Sequence, residues 1–490
     1  MPKTETRPWG AARHPGVRGH ARDTVAGYRH PMTAPERLFA DLPPDRVVTD
    51  PDVLAAYARD DAAWAEAGKS IALVRPTSTA EVAAVVKACA AAGVPIVPRG
   101  AGTGLSGGAN AVDGGVILSL ERMDAIVEIN TAERLAVVQA GVVNDHLRAA
   151  AAEQGLWYPP DPGSAPWSTL GGNVATNAGG LCCVKYGVTR DYVLALEVVT
   201  AAGEVVRVGR RTAKGVAGYD LAGLMVGSEG TLGVITEVTV RLRPLRTAPM
   251  RTVVGFFDTL SEAGDAVARV TAAGLQPAAF ELIDRACLRA VNAWKNMGLP
   301  EDAAALLLAQ TDLPEPAAEH EAMAIHDCFV AAGASDAMVS TDPVEAEALF
   351  DARRLAGPAL LWEHEDAVLT EDVCLPRGKL AEMLALIEKI AATHNIPIAT
   401  IAHAGDGNLH PCLVTPKGDL DGRDRALAAF QAIIDAAIDM GGTVTGEHGV
   451  GLLKRAGMQR EVGPVGLAMQ RAIKDALDPR GILNPGKVVG

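Results

Sequence analysis

The chain has few of the features that mark nucleic-acid-binding, secreted or membrane proteins. Its formal net charge is −14, and because nucleic acid is bound through a basic surface, nucleic acid is not expected as a partner. No apolar run approaches the ~18 residues of a transmembrane helix, and the first 31 residues contain no apolar segment typical of a secretory signal. The seven cysteines are scattered without a CxxC pair, which favours reduced thiols in a cytoplasmic compartment.

Size and composition predict more than one domain. The chain has 490 residues, which is too long for one core. Of these residues 49% are hydrophobic and only 4% are aromatic. The segment Pro244 to Pro249 marks a boundary, because short strands and glycine-rich loops before it give way to longer helices. The Arg-, Pro- and Gly-rich start predicts a disordered tail, with Met32 as a candidate start. Thr77 or Thr79 is expected to cap a helix that Gly93 ends.

Two histidines flank a predicted tight turn in IAHAGDGNLHP, residues 401–411. Asp406-Gly407 is the dipeptide that a two-residue type I′ hairpin prefers, and both flanks are typical of strands. With that turn His403 pairs directly with His410, which places their Cβ atoms roughly 4.5–5.5 Å apart on one face. Two imidazoles at this separation can share a metal ion. A surface hairpin with two ordinary histidines is the alternative, and the hairpin alone does not decide between them.

Three loops are dense in glycine and small polar residues. They are PRGAGTGLSGGA (98–109), PPDPGSAPWSTLGGNVATNAGG (159–180) and VGSEGTLGVIT (226–236). The first loop alone is a weak signal, because the GxGxxG spacing exists only loosely and no GxxxxGK[ST] motif occurs in it. Glycine lets backbone N–H groups approach an anion closely. Together the loops indicate a large, flat ligand with many hydrogen-bonding atoms.

Seven motifs in register resemble the FAD-linked 2-hydroxy acid dehydrogenases, which include the glycolate oxidase flavin subunit, the D-lactate dehydrogenase (cytochrome) type and D-2-hydroxyglutarate dehydrogenase. The motifs are PRGAGTGLSGG, PDPGSAPWSTLGGNVATNAGG, KYGVTRD, GSEGTLGVIT, HAGDGNLH, GEHGVG and LDPRGILNPGK. The resemblance covers about residue 45 to 490. It implies an α+β fold with a two-part FAD-binding domain of the PCMH or vanillyl-alcohol-oxidase type, an α+β cap domain and a returning C-terminus. The expected boundaries are a disordered tail at 1–35, the FAD-binding domain at 36–246, the cap at 247–465 and the returning segment at 466–490.

The resemblance also implies which residues hold the cofactor. Residues 98–104 would hold the pyrophosphate, and the other loops would surround the rest of FAD. The expected contacts are Pro98, Arg99, Gly100, Ala101, Gly102, Thr103, Gly104, Asp161, Pro162, Ser164, Gly172, Asn173, Thr176, Gly180, Tyr186, Glu229, Gly233, Val234, Ile235 and Asn484. Some relatives tether the flavin through a histidine in the first loop. Thr103 and the lack of a histidine there predict noncovalent FAD.

The segment TVTGEHGVGLLKR, residues 443–455, supplies a carboxylate and an imidazole between glycines. Two imidazoles and one carboxylate are the ligands of open Zn sites and of other divalent-metal sites. The resemblance implies that His403, His410 and Glu447 bind a divalent metal, with Zn favoured and Mn or Fe as alternatives. It also implies that His448 is the catalytic base. The alternative for Glu447-His448 is a helix cap with a solvated ion pair.

Oxidation of a 2-hydroxy acid moves a hydride from Cα to flavin N5 while the hydroxyl loses a proton. A metal on that hydroxyl lowers its pKa, a neutral imidazole can accept the proton, and a planar cation such as Arg suits the carboxylate. The family register places Arg353 on the carboxylate, with Phe350 where Trp is usual. Arg354 is expected to be a surface charge, and the alternative is that both arginines are surface charges.

These inferences predict an FAD-dependent dehydrogenase of a small D-2-hydroxy acid, with D-lactate or glycolate favoured. No second cation for a dicarboxylate occurs between Arg354 and Arg377, although Lys454 or Arg455 could serve. Without an Fe–S spacing or a haem motif, the electron acceptor is expected to be external: a cytochrome, a quinone, a partner subunit or oxygen. The protein would then be cytoplasmic or peripheral to a membrane through its acceptor, and a homodimer is one candidate oligomer.

Three alternative functions remain open at this point. They are a noncatalytic flavin subunit of a larger oxidase complex, a D-2-hydroxyglutarate dehydrogenase, and a metal-free FAD oxidase of a sugar or alditol. A nicotinamide enzyme is disfavoured, because no clean GxGxxG begins a βαβ unit.

Overall fold

The computed structural model describes residues 35–340, 342–364, 368–416 and 418–490. The predicted disordered tail, apart from residue 35, and the candidate start Met32 lie outside the described residues. Helices and strands occur along the whole described chain, which confirms the expected α+β fold class.

The first half of the chain contributes short strands to two sheets. Its strands are β1 (Val47–Val48), β2 (Ala72–Val74), β3 (Ile96–Arg99), β4 (Val116–Ser119), β5 (Ile126–Asn130), β6 (Leu135–Gln139), β7 (Leu156–Trp157), β8 (Val193–Val199), β9 (Val205–Gly209), β10 (Val234–Arg241) and β11 (Arg243–Pro244). Its helices are α1 (Pro35–Leu38), α2 (Pro51–Tyr57), α3 (Thr79–Ala92), α4 (Asn144–Glu153), α5 (Leu170–Thr176), α6 (Cys183–Tyr186) and α7 (Leu221–Met225). A mixed sheet has the order β1-β2-β4-β3, an antiparallel sheet has the order β5-β6-β10-β8-β9, and β7 pairs with β11.

Helix α3 shows how local sequence leads the chain into the first glycine-rich loop. The side-chain oxygen of Ser78 accepts a hydrogen bond from the Glu81 N–H at 3.3 Å, so Ser78 is the cap rather than the expected Thr77 or Thr79. This is the usual capping geometry, in which the cap satisfies an N–H of the first turn. Gly93 ends the helix as expected, in the left-handed conformation with φ of 68°. Strand β3 follows and enters the loop directly.

The second half of the chain forms one large antiparallel sheet flanked by long helices. Its strands are β12 (Arg251–Phe257), β13 (Ala279–Asp284), β14 (Ala305–Thr311), β15 (Asp336–Ser340), β16 (Val368–Thr370), β17 (Val373–Cys374), β18 (Ile398–His403) and β19 (Asn408–Val414). Its helices are α8 (Leu260–Ala272), α9 (Arg285–Lys295), α10 (Ala317–Ala331), α11 (Pro343–His364), α12 (Leu380–His394), α13 (Leu420–Asp439) and α14 (Arg455–Leu477). The strand order is β15-β12-β14-β13-β18-β19-β16, and β17 also pairs with β19.

Both faces of this sheet are buried, which explains the apolar strands. Val253 of β12 belongs to a core with α8, α10, α12 and α13, whereas the adjacent Val254 belongs to a separate core with α9 and α11. Successive side chains of a strand point to opposite faces, so the sheet is the middle layer between two helical layers. None of the described helices combines the length and apolar character that crossing a membrane requires.

The histidine hairpin has a different turn from the expected one. Residues 404–407 form a four-residue turn, and His403 pairs with Asn408 rather than with His410. The expected two-residue turn at Asp406-Gly407 is therefore wrong. A type I′ turn needs positive φ at both central residues, and here only Gly407 has it, at 77°. Because the register differs by two residues and side chains alternate with period two, both histidines still lie on one face.

The C-terminus returns to the first sheet. The Ile96 N–H donates to the Ile482 carbonyl at 2.8 Å, and the Asn484 N–H donates to the Ile96 carbonyl at 2.7 Å. Leu483 is completely buried in the core that α3 forms with this sheet. The last residues thus extend the sheet that carries the first glycine-rich loop.

We propose the domain division at residues 246 and 247, because β11 ends the first set of strands and β12 begins the large sheet. The proposed boundary at residues 465 and 466 lies close to a break in α14, where Gly463 has a non-helical φ of 69°.

We predict that Leu483→Ala lowers the free energy of unfolding by about 2–5 kcal/mol, because it leaves a cavity where the returning segment packs on the first sheet. The measurement is urea unfolding followed by circular dichroism. Val465→Ala serves as the control, since Val465 is 73% exposed, and it should change stability by less than about 0.5 kcal/mol. Equal midpoints for the two variants would contradict the anchoring role of the C-terminus.

Candidate functional site

The expected metal ligands converge in the structure. His403 ends β18 and His410 lies in β19, and their rings meet edge to face with centroids 5.2 Å apart. Nε2 of each histidine lies 3.2 Å from Oε1 of Glu447. All three side chains are at most 13% exposed. Two imidazole nitrogens and one carboxylate oxygen therefore face one point inside the protein.

Glu281 fixes the orientation of His403. It lies in β13, which pairs with β18, and its carboxylate oxygens are 2.9 and 3.0 Å from Nδ1 of His403. Burial alone lowers the pKa of His403, but the carboxylates of Glu281 and Glu447 raise it well above its usual range. A proton on Nδ1 that is donated to Glu281 leaves the Nε2 lone pair free for a metal ion, which is how metal-binding histidines are usually held.

The donor set fits a divalent metal. Without a metal, the raised pKa of His403 lets Nδ1 donate to Glu281 and Nε2 donate to Glu447. A divalent metal can replace the Nε2 proton, because it too is a cation between the imidazole nitrogen and the carboxylate oxygen. A second group of potential ligands, from Asp372, His410 and His448, also lies within 4.8 Å. One oxygen of Asp372 already accepts several hydrogen bonds, which makes His403, His410 and Glu447 the better set.

Arg353 is connected to the same cluster. It lies on α11, and its Nε is 2.7 Å from Oε2 of Glu281, the carboxylate that also contacts His403. Arg353 lines the same cavity as His403. Arg354 is 45% exposed at its side chain and is paired with Glu347 and Asp351. Arg354 also lines the cavity, so the two arginines differ in their exposure and in their ion-pair partners rather than in access to the cavity.

His448 lies beside the metal-ligand cluster. Its ring stacks on that of His410, with centroids 4.8 Å apart and an angle of 16° between the planes. Burial lowers the pKa of His448 to about 4, so the imidazole is neutral near pH 7 and able to accept a proton. This is the protonation state that a general base requires.

A cavity of about 820 Å³ joins these side chains to the glycine-rich loops. Its wall includes all of residues 98–104 of the first loop. It also includes many of the other expected cofactor residues, namely Asp161, Pro162, Ser164, Gly172, Asn173, Thr176, Glu229, Gly233 and Ile235. Arg353, His403, His410, Glu447 and His448 lie on the wall of the same cavity. One cavity is thus lined both by the three glycine-rich loops and by this cluster of ionisable side chains.

Four expected cofactor residues do not line this cavity. Val234 is buried in the core that α3 forms with the first sheet, and Gly180 packs against the backbone of Asp161. Asn484 donates its side-chain N–H groups to the carbonyls of Gly108 and Glu229, at 2.8 and 2.7 Å. It therefore holds the first and third loops together from behind.

Tyr186 is also away from the cavity wall. Its hydroxyl donates to Asp312, a carboxylate that also pairs with Lys185 and Arg246, and its ring meets Trp157 edge to face. Tyr186 therefore contributes to a polar contact between the first half of the chain and the large sheet.

Three buried ionisable residues were missed or misjudged from the sequence. Glu281 lies within the apolar segment AAFELI, and an acid in an otherwise apolar strand is a recognisable signal. Asp372 follows β16 and is completely buried. Lys454 is only 1% exposed and its Nζ lies 2.7 Å from Glu371, so it is not available to bind a second substrate carboxylate. Arg455, the other residue considered for that role, is not on the cavity wall.

Two family models match the chain. Residues 70–209 match a family described as an FAD binding domain, and residues 247–488 match one described as the C-terminal domain of FAD linked oxidases. The glycolate oxidase subunit GlcD of Bacillus subtilis is 42% identical over 417 residues, covering 85% of this chain and 88% of that protein. A D-lactate dehydrogenase of Anaerostipes hadrus is 35% identical over 478 residues, covering 95% of this chain and 99% of that protein.

Solved structures share the fold at lower identity. p-Cresol methylhydroxylase with substrate bound has a TM-score of 0.76 at 20% identity, covering 93% of this chain and 96% of that one. 4-Ethylphenol oxidase from Gulosibacter chungangensis has a TM-score of 0.76 at 21% identity, covering 92% and 95%. These similarities concern the fold, which is that of the PCMH-type flavoproteins, as expected.

We predict that Gly102→Ala weakens FAD binding by at least about tenfold, equivalent to ~1.4 kcal/mol. Gly102 has φ of 85°, which strains any residue with a Cβ, and the added Cβ would displace the guanidinium of Arg99 within the first loop. The measurement is the dissociation constant from flavin fluorescence. Gly114→Ala is the matched control, because Gly114 also has positive φ, at 71°, but has no atom within 4 Å of an added Cβ. Equal flavin affinity in both variants would show that the first loop does not contact FAD.

Proposed function

The chain belongs to the family of FAD-linked 2-hydroxy acid dehydrogenases and oxidases, and from this premise we propose that it oxidises a small D-2-hydroxy acid, D-lactate or glycolate, to the 2-oxo acid. The relatives named glycolate oxidase and D-lactate dehydrogenase support this substrate class. We further propose that the cofactor is noncovalent FAD, assisted by a divalent metal, with zinc favoured.

The observation that carries the proposal is the shared carboxylate of Glu281. It contacts Arg353 on one side and His403 on the other, at 2.7 and 2.9 Å. A cation suited to a substrate carboxylate is thereby held next to a group suited to a metal ion. A 2-hydroxy acid has its carboxylate and hydroxyl on adjacent carbons, so it matches this arrangement.

When bound, FAD accepts a hydride and a divalent metal lowers the pKa of a coordinated hydroxyl. The residues of the chain perform the remaining tasks. Arg353 binds the substrate carboxylate, because its planar guanidinium can donate two parallel hydrogen bonds. His448 removes the hydroxyl proton, which is typically worth 10²–10⁴-fold in rate. His403, His410 and Glu447 hold the metal.

The charges on the cavity wall favour a monocarboxylate. Besides Arg353, three arginines of the described chain line it. Arg99 belongs to the first loop, where FAD is expected, and donates to the Arg59 carbonyl at 2.9 Å. Arg148 is paired with Asp145 at 3.0 Å, and Arg354 is paired with two acids. Lys454 is buried and forms an ion pair with Glu371. The second carboxylate of 2-hydroxyglutarate would therefore have to compete with an existing ion pair or with the cofactor loop. The single carboxylate of lactate or glycolate can bind the other guanidinium nitrogens of Arg353, because only Nε is paired with Glu281.

The electrons must leave the reduced flavin, and we propose an external acceptor such as a cytochrome, a quinone or a partner subunit. The seven cysteines are free thiols, which supports the proposed cytoplasmic location. A noncatalytic flavin subunit would not need Arg353 and His448 on one cavity wall. A metal-free sugar oxidase would not need the two histidines to converge on Glu447.

We predict that D-lactate or glycolate bleaches the flavin absorbance of the anaerobic protein. His448→Ala should slow this reduction by about 10²–10⁴-fold, because the base is lost, while the flavin content stays unchanged. His320→Ala, on the exposed side of α10, is the control and should reduce at the wild-type rate. A flavin that is bound but reduced by none of the 2-hydroxy acids would exclude the proposed reaction.

We predict that Glu281→Gln raises the dissociation constant for Zn²⁺ by about 10–100-fold, because His403 loses the acceptor that fixes its ring. The measurement is competition with a chromophoric chelator. Glu382→Gln is the control, since Glu382 is exposed on α12 and forms an ion pair with Lys379 at 2.8 Å. The metal proposal fails if the wild-type protein binds no more Zn²⁺ than a His403→Ala/His410→Ala variant.

A further inference from the structure

One carboxylate oxygen of Asp372 accepts hydrogen bonds from several consecutive residues of one turn. Oδ2 of this buried carboxylate accepts hydrogen bonds from Oγ1 of Thr445 at 2.6 Å and from the N–H groups of Gly446, Glu447 and His448 at 3.0, 3.1 and 2.9 Å. Consecutive N–H groups pointing at one anion form an anion-binding nest. Four donors on one oxygen favour the negatively charged form of that carboxylate.

The backbone N–H groups of the turn at residues 445–448 have little other support, although Oγ of Ser106 donates to the His448 carbonyl at 3.0 Å. The residues of the turn belong to neither a helix nor a strand, and among the backbone bonds of the described chain the N–H groups of Gly446, Glu447 and His448 have no carbonyl acceptor. Thr445 also accepts the Gly449 N–H at 3.0 Å. Three consecutive N–H groups of the turn therefore have Asp372 as their acceptor.

The charge of Asp372 is itself held in place from two sides. Nζ of Lys454 lies 3.6 Å from Oδ2 and donates to the Asp372 main-chain carbonyl at 2.9 Å. Oδ1 faces Nδ1 of His410 at 3.7 Å. The carboxylate thus lies between His410 of β19, one proposed metal ligand, and the turn that carries Glu447, another.

We propose that Asp372 is a positioning residue that sets the conformation of the 445–448 turn and thereby places Glu447 and His448 for their roles. Asp372 does not line the cavity, so it acts through the turn and not on the substrate. The roles of Glu447 and His448 in this inference rest on the function proposed above. The way in which the turn is held does not depend on that function. A displacement of about 1 Å in such groups can cost about 10²-fold in rate.

The direct test is hydrogen exchange of the turn in the FAD-loaded protein. Asp372→Asn keeps the side-chain volume but removes the charge, so the amides in a peptide covering residues 443–452 should exchange at least about tenfold faster. Asp284→Asn is the matched control. Asp284 is also buried and accepts two backbone N–H groups, from Cys287 and Thr400 at 3.0 and 2.6 Å, but it does not contact the turn. Unchanged exchange in this peptide of Asp372→Asn would overturn the proposal.

Kinetics and metal binding separate positioning from general stability. Asp372→Asn should lower kcat by about 10²-fold and weaken Zn²⁺ binding by about 10–100-fold. KM for the acid should change less than about threefold, because Arg353 is held by Glu281 and not by the turn. Asp284→Asn should leave kcat and Zn²⁺ affinity near wild type. Wild-type values of kcat and Zn²⁺ affinity in folded Asp372→Asn would also overturn the proposal.

A second pair of variants keeps the test decisive if Asp372→Asn does not fold. Thr445→Val removes one donor to Asp372, whereas Thr445→Ser retains the hydroxyl. Faster exchange of the turn in Thr445→Val and near-wild-type exchange in Thr445→Ser would support the proposal, and equal exchange in both would overturn it. If no 2-hydroxy acid reduces the wild-type flavin, the proposed function fails, while the exchange comparison still decides the role of Asp372.

Discussion

Arg353, Glu281, His403, Glu447 and His410 form a continuous series of buried contacts between groups of opposite charge or between donors and acceptors. Neighbours in the series are 2.7, 2.9, 3.2 and 3.2 Å apart. Burying any one of these charges alone would cost several kcal/mol, so each group depends on the next. The large sheet meets this requirement, because β13, β18 and β19 are adjacent and place an acid and two histidines side by side. The order of these three strands in the sheet therefore determines that Glu281, His403 and His410 lie close together.

Two further carboxylates hold the segment that carries Glu447 and His448. Glu229 of the third loop accepts the N–H groups of Val450 and Gly451 at 2.7 and 2.9 Å, and Asp372 accepts those of the preceding turn. Burial raises the pKa of Glu229 to about 7. The segment after Thr443 is thus held by the first half of the chain at one end and by the large sheet at the other. This arrangement lets residues far apart in sequence line one cavity.

The parts of the site with local sequence signals could be predicted, and those made by distant pairings could not. The glycine loops, the two histidines and Glu447-His448 are contiguous motifs, so their residue types already indicate their chemistry. The hairpin register was missed because Asp-Gly favours a two-residue turn, although the two-residue shift kept both histidines on one face. Glu281 contacts His403 across 122 residues, and no local periodicity reports such a pairing. Lys454 was interpreted as an available cation because its partner Glu371 is also far from it in the sequence.

The central claim is that His403, His410 and Glu447 bind a divalent metal beside the flavin. Crystals of the FAD-loaded protein grown with Zn²⁺ test it directly, through anomalous difference maps from data collected on either side of the zinc absorption edge. If the metal binds there, the maps contain one peak at bonding distance, ~2.0–2.2 Å, from Nε2 of both histidines and from the Glu447 carboxylate. The absence of a peak there, or a peak among Asp372, His410 and His448 instead, would contradict it.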